Sequence, residues 1–342
     1  MNRREFLKSI LTFSALFPIS RLLAGTAAGT SASAGTGASA GAAPGKEGIP
    51  KVYFTSEISP ESVIRMYGVL GLPLPGKVAV KVHSGEKGNQ NYLRPEFLRP
   101  MVEAVRGTVV ECNTAYEGER NSTGKHRKLL EEHGWTKLFH VDLMDAEGPD
   151  MELPVSGGKI LKRNYVGKNM ANYNSMLVLS HFKGHPVAGY GGALKQLSIG
   201  CASTRGKALI HSGGVSGDQV ECWNHMASPE VFGDAMAEAA GTIVDYFKGR
   251  IAFVNMLCNL SVDCDCCAVA ENPCMKDIGI LSSADPVALD QACMDLIRNS
   301  NDPGRDHFLE RVDSRKGTRV IDSAAAGGVG KKQYHLVRIA SS

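Results

Sequence analysis

The chain of 342 residues carries almost no surplus charge: 38 Lys and Arg stand against 35 Asp and Glu, a formal net charge of +3. Even that surplus is local. Residues 1–24 hold Arg3, Arg4, Lys8 and Arg21 against Glu5, so the remainder is close to neutral. A protein without a basic field lacks the electrostatic footprint expected for nucleic acid or anionic lipid. A long hydrophobic run is missing too. The moderately apolar stretch 10–23 is broken by Pro18 and Ser20 and is too short to span a bilayer as a helix. No cysteine stands near its end, which argues against a lipid-modified anchor, and no internal repeat is visible.

What the first residues do contain is ordered. Arg3 and Arg4 are followed, after Glu5, by Phe6, Leu7 and Lys8; then come the apolar stretch and the small residues Ala24, Gly25, Thr26 and Ala27. The arrangement resembles a twin-arginine (Tat) export signal over residues 1–24. That resemblance implies passage through the Tat translocase as a folded protein, a cofactor loaded beforehand, a periplasmic or otherwise exported location, and no stable membrane anchor. Residues 25–48 are almost wholly Gly, Ala, Ser and Thr, which cannot bury enough apolar surface to fold and read as a disordered linker. Residues 49–342 are left for the globular part, enough for one large domain or two closely associated lobes.

In that part, short apolar runs alternate with helical patterns. Residues 51–55, 77–83 (KVAVKVH), 108–112, 139–144, 175–180, 208–211, 251–257, 278–281, 318–323 and 334–339 read as strands. Helices are expected over 59–70 with Ser59 as N-cap, 94–105, 125–133, 192–199, 229–247 with Ser228 as N-cap, and 287–298 after Asp285 and Pro286. The alternation predicts an α/β fold with a mixed, largely parallel sheet flanked by helices. Ligands in such sheets sit at the carboxyl ends of strands.

Two stretches carry candidate chemistry. In the first, 180–214, His181, Lys183 and His185 follow directly on a predicted strand, and His211 ends the next. Gly189, Gly191 and Gly192 lie at a loop-to-helix junction, where backbone amides and a helix N-terminus favour an anion, with Lys195 one turn inside. His83 is a candidate by the same logic, whereas His126, His133, His140 and His307 read as surface residues. The second stretch is richer in sulfur: Cys258, Cys264, Cys266, Cys267 and Cys274, five of the nine cysteines, fall within seventeen residues. The H-F-K-G-H and G-Y-G-G-A-L-K-Q-L-S-I-G-C runs, with the later C-D-C and D-I-G-I-L-S-S-A-D-P-V-A-L-D-Q-A, resemble domain of unknown function 362 over roughly residues 51–339. The resemblance implies a fold of that type and an iron–sulfur label, but no established chemistry. Many relatives carry a ferredoxin module near the position of residues 214–225; here only Cys222 stands there.

The cysteines admit three readings. Thiolates at Cys264 and Cys266, helped by Cys267, Cys274, His181, His211 or Asp277, suit zinc or an iron–sulfur cluster. An exported protein also permits disulfides. Plain burial fits Cys112, Cys201 and Cys293 best. The leading expectation is an exported metal- or iron–sulfur-binding α/β protein, an oxidoreductase in one reading, with Lys183, His185 and Lys195 as catalytic candidates and a small anionic ligand. A non-redox enzyme using zinc or His/Lys acid–base chemistry and a disulfide-stabilised binding protein are the alternatives.

Overall fold

The computed structural model describes residues 48–340; the segments expected to be an export signal and a linker lie, but for residue 48, outside them. Twelve strands are present among the described residues, and eight form one sheet. In chain order the sheet contains β1 (Lys51–Thr55), β2 (Val78–Lys81), β3 (Thr108–Glu111), β4 (Val141–Leu143), β7 (Ser175–His181), β10 (Ile251–Leu257), β11 (Gly279–Ser283) and β12 (His335–Arg338). Their spatial order is β12-β1-β11-β10-β7-β2-β3-β4. Only β11 runs against its neighbours; every other pairing is parallel, so the sheet is mixed and largely parallel as expected. Two hairpins stand apart: β5 (Met151–Pro154) with β6 (Arg163–Val166), and β8 (Lys183–His185) with β9 (Gly189–Gly191).

The central strands β7 and β10 are buried along their whole length, which is why they read as continuous apolar runs. Alternation sends Met176 and Val178 of β7, and Ile251 and Phe253 of β10, to one core; Leu177, Leu179, Ala252 and Val254 go to the other. Helices α1 (Pro60–Gly68) and α2 (Pro95–Ala104) cover the second face with Val63, Met66, Leu98 and Met101. The first face is covered by α7 (Pro229–Phe247), α8 (Pro286–Arg298) and α10 (Arg319–Ala326). The N-caps follow the sequence: the hydroxyls of Ser59 and Ser228 accept from Ser62 N and Val231 N, and Asp285 accepts from Val287 N and Ala288 N. Between α2 and β4 lie α3 (Thr123–Glu132) and α4 (Trp135–Leu138); α9 (Arg305–Ser314) precedes α10.

Two strand expectations are corrected. Residues 208–211 form the last turn of helix α6 (Thr204–His211), started by Ser203, whose Oγ accepts from Gly206 N. Residues 318–323 belong to α10, where Val320, Ile321 and Ala324 are buried at helical spacing. Both are apolar runs so short that periods of 2 and 3.6 cannot be told apart without tertiary context. No described helix is long and apolar enough to cross a membrane.

Candidate functional site

Strands β7 and β10 are parallel neighbours with Met256 opposite His181, so the segments leaving their carboxyl ends start side by side. One carries Lys183 and His185 in the β8–β9 hairpin; the other is the cysteine-rich loop. Backbone bonds tie them, Phe182 N to Met256 O at 2.9 Å and Gly184 N to Ser261 O at 2.8 Å. The segment after β2 braces the loop from a third side. Asn89 Nδ2 donates to the carbonyls of Cys264 and Cys267, and Glu86 N donates to Asp265 O at 2.7 Å. Gly88 is required at this meeting: its φ is +87°, and a Cβ there would stand 2.9 Å from the Ala268 carbonyl.

Side chains alternate along Cys264, Asp265 and Cys266. Asp265 points into the protein, where its carboxylate accepts from His181 Nδ1 at 2.8 Å and pairs with Lys183 Nζ at 2.8 Å. His181 Nε2 faces the Cys258 carbonyl at 2.7 Å, so both ring nitrogens meet acceptors. Burial alone would raise the Asp265 pKa, but the charges of His181 and Lys183 hold it well below the ordinary carboxylate range. Lys183, buried against it, is raised despite desolvation. His181 and Lys183 therefore anchor the loop, and both ring nitrogens of His181 are engaged.

The sulfurs face the other way. The ligand atoms of His185, Cys264 and Cys266 all lie within 4.8 Å of one another, close enough to hold a metal ion. Cys267 lies beside Cys266. Burial and the neighbouring Cys266 push Cys264 up to about 11. At Cys266 the bond from Cys264 lowers the pKa, but the Cys267 contact and burial prevail and carry it to about 12. A cation would relieve this crowding, and thiols in a soft-donor cluster give up their protons on metal binding. His185 fits less directly. Its Nδ1 accepts from Val187 N at 3.0 Å and Ala188 N at 2.9 Å, so the ring proton sits on Nε2, 3.5 Å from Cys266 Sγ. In this arrangement the thiols suit a metal, and the imidazole donates toward sulfur.

Cys274, His211 and Asp277 are outside this group. Cys274 Sγ contacts the Leu260 carbonyl, and exposed Asp277 accepts from Asn259 N at 2.8 Å, closing the far end of the loop. Cys112, Cys201 and Cys293 are packed in the core, and all nine cysteines are free thiols with no disulfide between them.

The thiol group opens on a cavity of about 450 Å³. Its walls include His185, Cys266 and Cys267 on one side, and Lys195, Gln196, Lys207 and His211 on another. The glycine turn does not serve as an anion cradle. Helix α5 (Ala193–Lys195) is one short turn, and its first amides are taken by buried Asp290, which accepts from Ala193 N at 2.9 Å and Leu194 N at 3.0 Å. A Cβ at Gly189 would strike Gly317, and one at Gly192 would strike Asp290, so these two glycines permit close packing; Gly191 packs beside the stems of Lys183 and Lys195. The positive charge comes from side chains instead. Lys195 is half-buried at the cavity and forms no hydrogen bond or ion pair with a described residue. A single π-turn, Gln196–Gly200, follows it, a distortion frequent at functional sites.

Sequence reasoning missed a buried charge network beneath the cavity. Lys81 and Arg120 enclose Glu111, and Arg120 also pairs with Glu86 at 3.4 Å and donates to Tyr116 Oη, which in turn reaches the Cys266 carbonyl. Burial opposes the Glu111 charge, but Lys81 and Arg120 lower its pKa to about 2. The available signal was Lys81 within an apolar strand, a charge that must find a partner. His126 is a correction: it is fully buried between Asn113 and Ser84, and burial lowers its pKa to about 3. His133 is half-buried, stacked on Tyr92; His140 and His307 are exposed. His83 lines the cavity, its Nδ1 accepting from Gly85 N.

The profile described as Domain of unknown function (DUF362) matches residues 78–295, more than half the chain. The chain belongs to the DUF362 family. Every cavity residue named above lies inside the matched segment. No curated protein sequence matches the chain. Among solved structures it is similar to the lactate racemase apoprotein from Thermoanaerobacterium thermosaccharolyticum, at 12% identity and a TM-score of 0.35, over 60% of this chain and 50% of that one. It is also similar to a structural-genomics protein from Thermotoga maritima, at 11% identity and a TM-score of 0.39, over 78% of this chain and 58% of that one. The chain thus spans between half and three-fifths of the length of these two, and neither likeness bears on what it does.

Proposed function

We propose that the DUF362 cavity is a thiol-held metal centre beside a subsite for a small anion, in a protein exported by the twin-arginine route. The observation that carries this reading is the convergence of Cys264, Cys266 and His185 at the edge of a cavity that also presents the ammonium of Lys195, unpaired among the described residues. Cys264, Cys266 and Cys267 would hold the ion. The two clustered thiols, with Cys267 beside Cys266, make at most three sulfur donors and suit zinc better than a four-iron cluster, which takes four cysteines. A bound zinc ion would act as a Lewis acid toward an oxygen of the ligand. The protein's own part is to hold the loop rigid through Asp265 and to attract the anion through Lys195.

Anaerobic purification followed by elemental analysis and a visible spectrum tests this. About one zinc per chain is expected, falling to a small fraction in Cys264→Ser and Cys266→Ser variants that remain folded. Iron with labile sulfide and broad visible absorbance would move the reading to a cluster and an oxidoreductase. Protein free of transition metals, with nine titratable thiols, would end it. Export is tested separately: replacing Arg3 and Arg4 by Lys should leave the protein in the cytoplasmic fraction.

A further inference from the structure

Opposite the thiols, one imidazole is held in a defined state that the metal reading does not use. His211 Nδ1 faces the Lys207 carbonyl one helical turn back, at 2.7 Å, and must donate to it. The neutral ring then carries a lone pair on Nε2, which forms no hydrogen bond with a described residue. Trp223 and Phe232 pack on the ring, with centroids 5.3 and 4.9 Å away, and fix its orientation at the cavity wall. Burial lowers the His211 pKa to about 4, so the lone pair is present at neutral pH.

A donor faces the same space. Gln196 is 7% exposed, and its amide orientation is set by Lys81 Nζ, 3.4 Å from Oε1. That leaves Nε2 buried at the cavity without an acceptor. An unsatisfied buried amide donor is costly unless something fills the role. The charge of Lys195 acts on His211, and Lys195 adjoins Gln196 in the chain. The rest of the wall is mixed, with Ala115, Val187, Ile199 and Trp223 beside charged groups such as Glu119 and Arg120, but most of its exposed surface is apolar.

We infer that His211 is a general base acting on a 2-oxo carboxylate with an apolar side chain, its carboxylate held by Lys195 and its carbonyl oxygen by the Gln196 carboxamide. His211 Nε2 takes a proton from the carbon next to the carbonyl. The C–H electron pair becomes the carbon–carbon double bond, and the carbonyl π pair moves to the oxygen, where Gln196 Nε2–H donates to it. Return of the proton restores the keto acid, so no oxidant or second substrate is needed. The inference rests on the anion subsite proposed above but not on the metal.

The probe is 4-methyl-2-oxopentanoate with the full-length protein in D2O, followed by proton NMR of its C3 methylene signal; saturation transfer reports binding. The expected result is protein-dependent loss of that signal, slowed ~100-fold in His211→Gln while binding persists. Lys195→Met should raise the half-saturating concentration. Binding without exchange in the wild type would overturn the base role and leave the anion subsite standing. No binding would overturn both. Should His211→Gln fail to fold, nitrogen-15 NMR of the wild-type imidazole decides, since a proton on Nε2 instead of Nδ1 would refute the assignment.

Discussion

Asp265 sits between two cysteines and faces away from both. Its carboxylate is the only anion shown between His181 and Lys183, and all three side chains are buried. Asp265→Asn would leave the buried Lys183 ammonium without its counter-charge, and a loss of ~3–5 kcal/mol is expected in denaturant unfolding. If the variant kept wild-type stability, the anchor role of this trio would be refuted. The residue also shows what a sequence can hide. Cysteine density drew attention to 258–274, but the residue that turns the loop toward the cavity is an aspartate with no spacing signal of its own. His211 is the counterpart: it was legible as a candidate, yet its distance from the thiols and its tautomer depend on helix α6 being a helix.

At the scale of elements, helix caps were readable and short apolar runs were not. Ser228 and Pro229 announced α7 by cap chemistry, and its boundary follows. Ser228→Ala should cost ~1 kcal/mol, measured as a lowered melting temperature. The short α5 has no side-chain cap of its own; Asp290, brought up from α8, accepts from its first amides, from Asn255 Nδ2 and from Tyr190 Oη. Asp290→Asn would set an amide NH2 among donors and is expected to cost ~1–3 kcal/mol, more than the Ser228 change. Because Lys195 and Gln196 follow α5 directly, the same variant should weaken binding of the anionic probe, a second readout in the same sample. Equal melting temperatures for the two variants would contradict this account of α5.

For the whole molecule, buried ionisable groups set the response to acid. His126 and His211 have pKa values lowered by burial to about 3 and about 4, so the unfolded chain binds their protons first as pH falls below the ordinary histidine value. Their contribution is present above about 6.5 and declines on acidification. Asp290 works in the opposite sense. Burial raises it to about 6, so the native state takes its proton before the unfolded chain does. The lowered histidines, His83, His126, His133, His185 and His211, outnumber the raised carboxyls Asp145, Asp285 and Asp290, so stability falls on acidification between about pH 6 and 5. Below about 4.5 the lowered carboxyls of Glu111 and Asp265 add to the decline. Urea unfolding midpoints across this range check the slope; stability that rises from pH 6 to pH 5 would show that the raised carboxyls dominate.

The chain by itself determined the α/β class, because buried parallel strands need continuous apolar runs and amphipathic helices need a period of 3.6. It also marked the long capped helices and the two segments where histidine and cysteine gather. Only the tertiary structure decided which of those residues meet. Parallel neighbours β7 and β10 set their trailing loops side by side, joining Cys264 and Cys266 to His185 while leaving Cys274 and Asp277 at the far end of the loop. The glycine turn lost its anion role for the same reason: a carboxylate about a hundred residues later in sequence, Asp290, packs against its amides. Local pattern records which face of an element is buried; the partner on that face is chosen by strand order, which no stretch of sequence states alone.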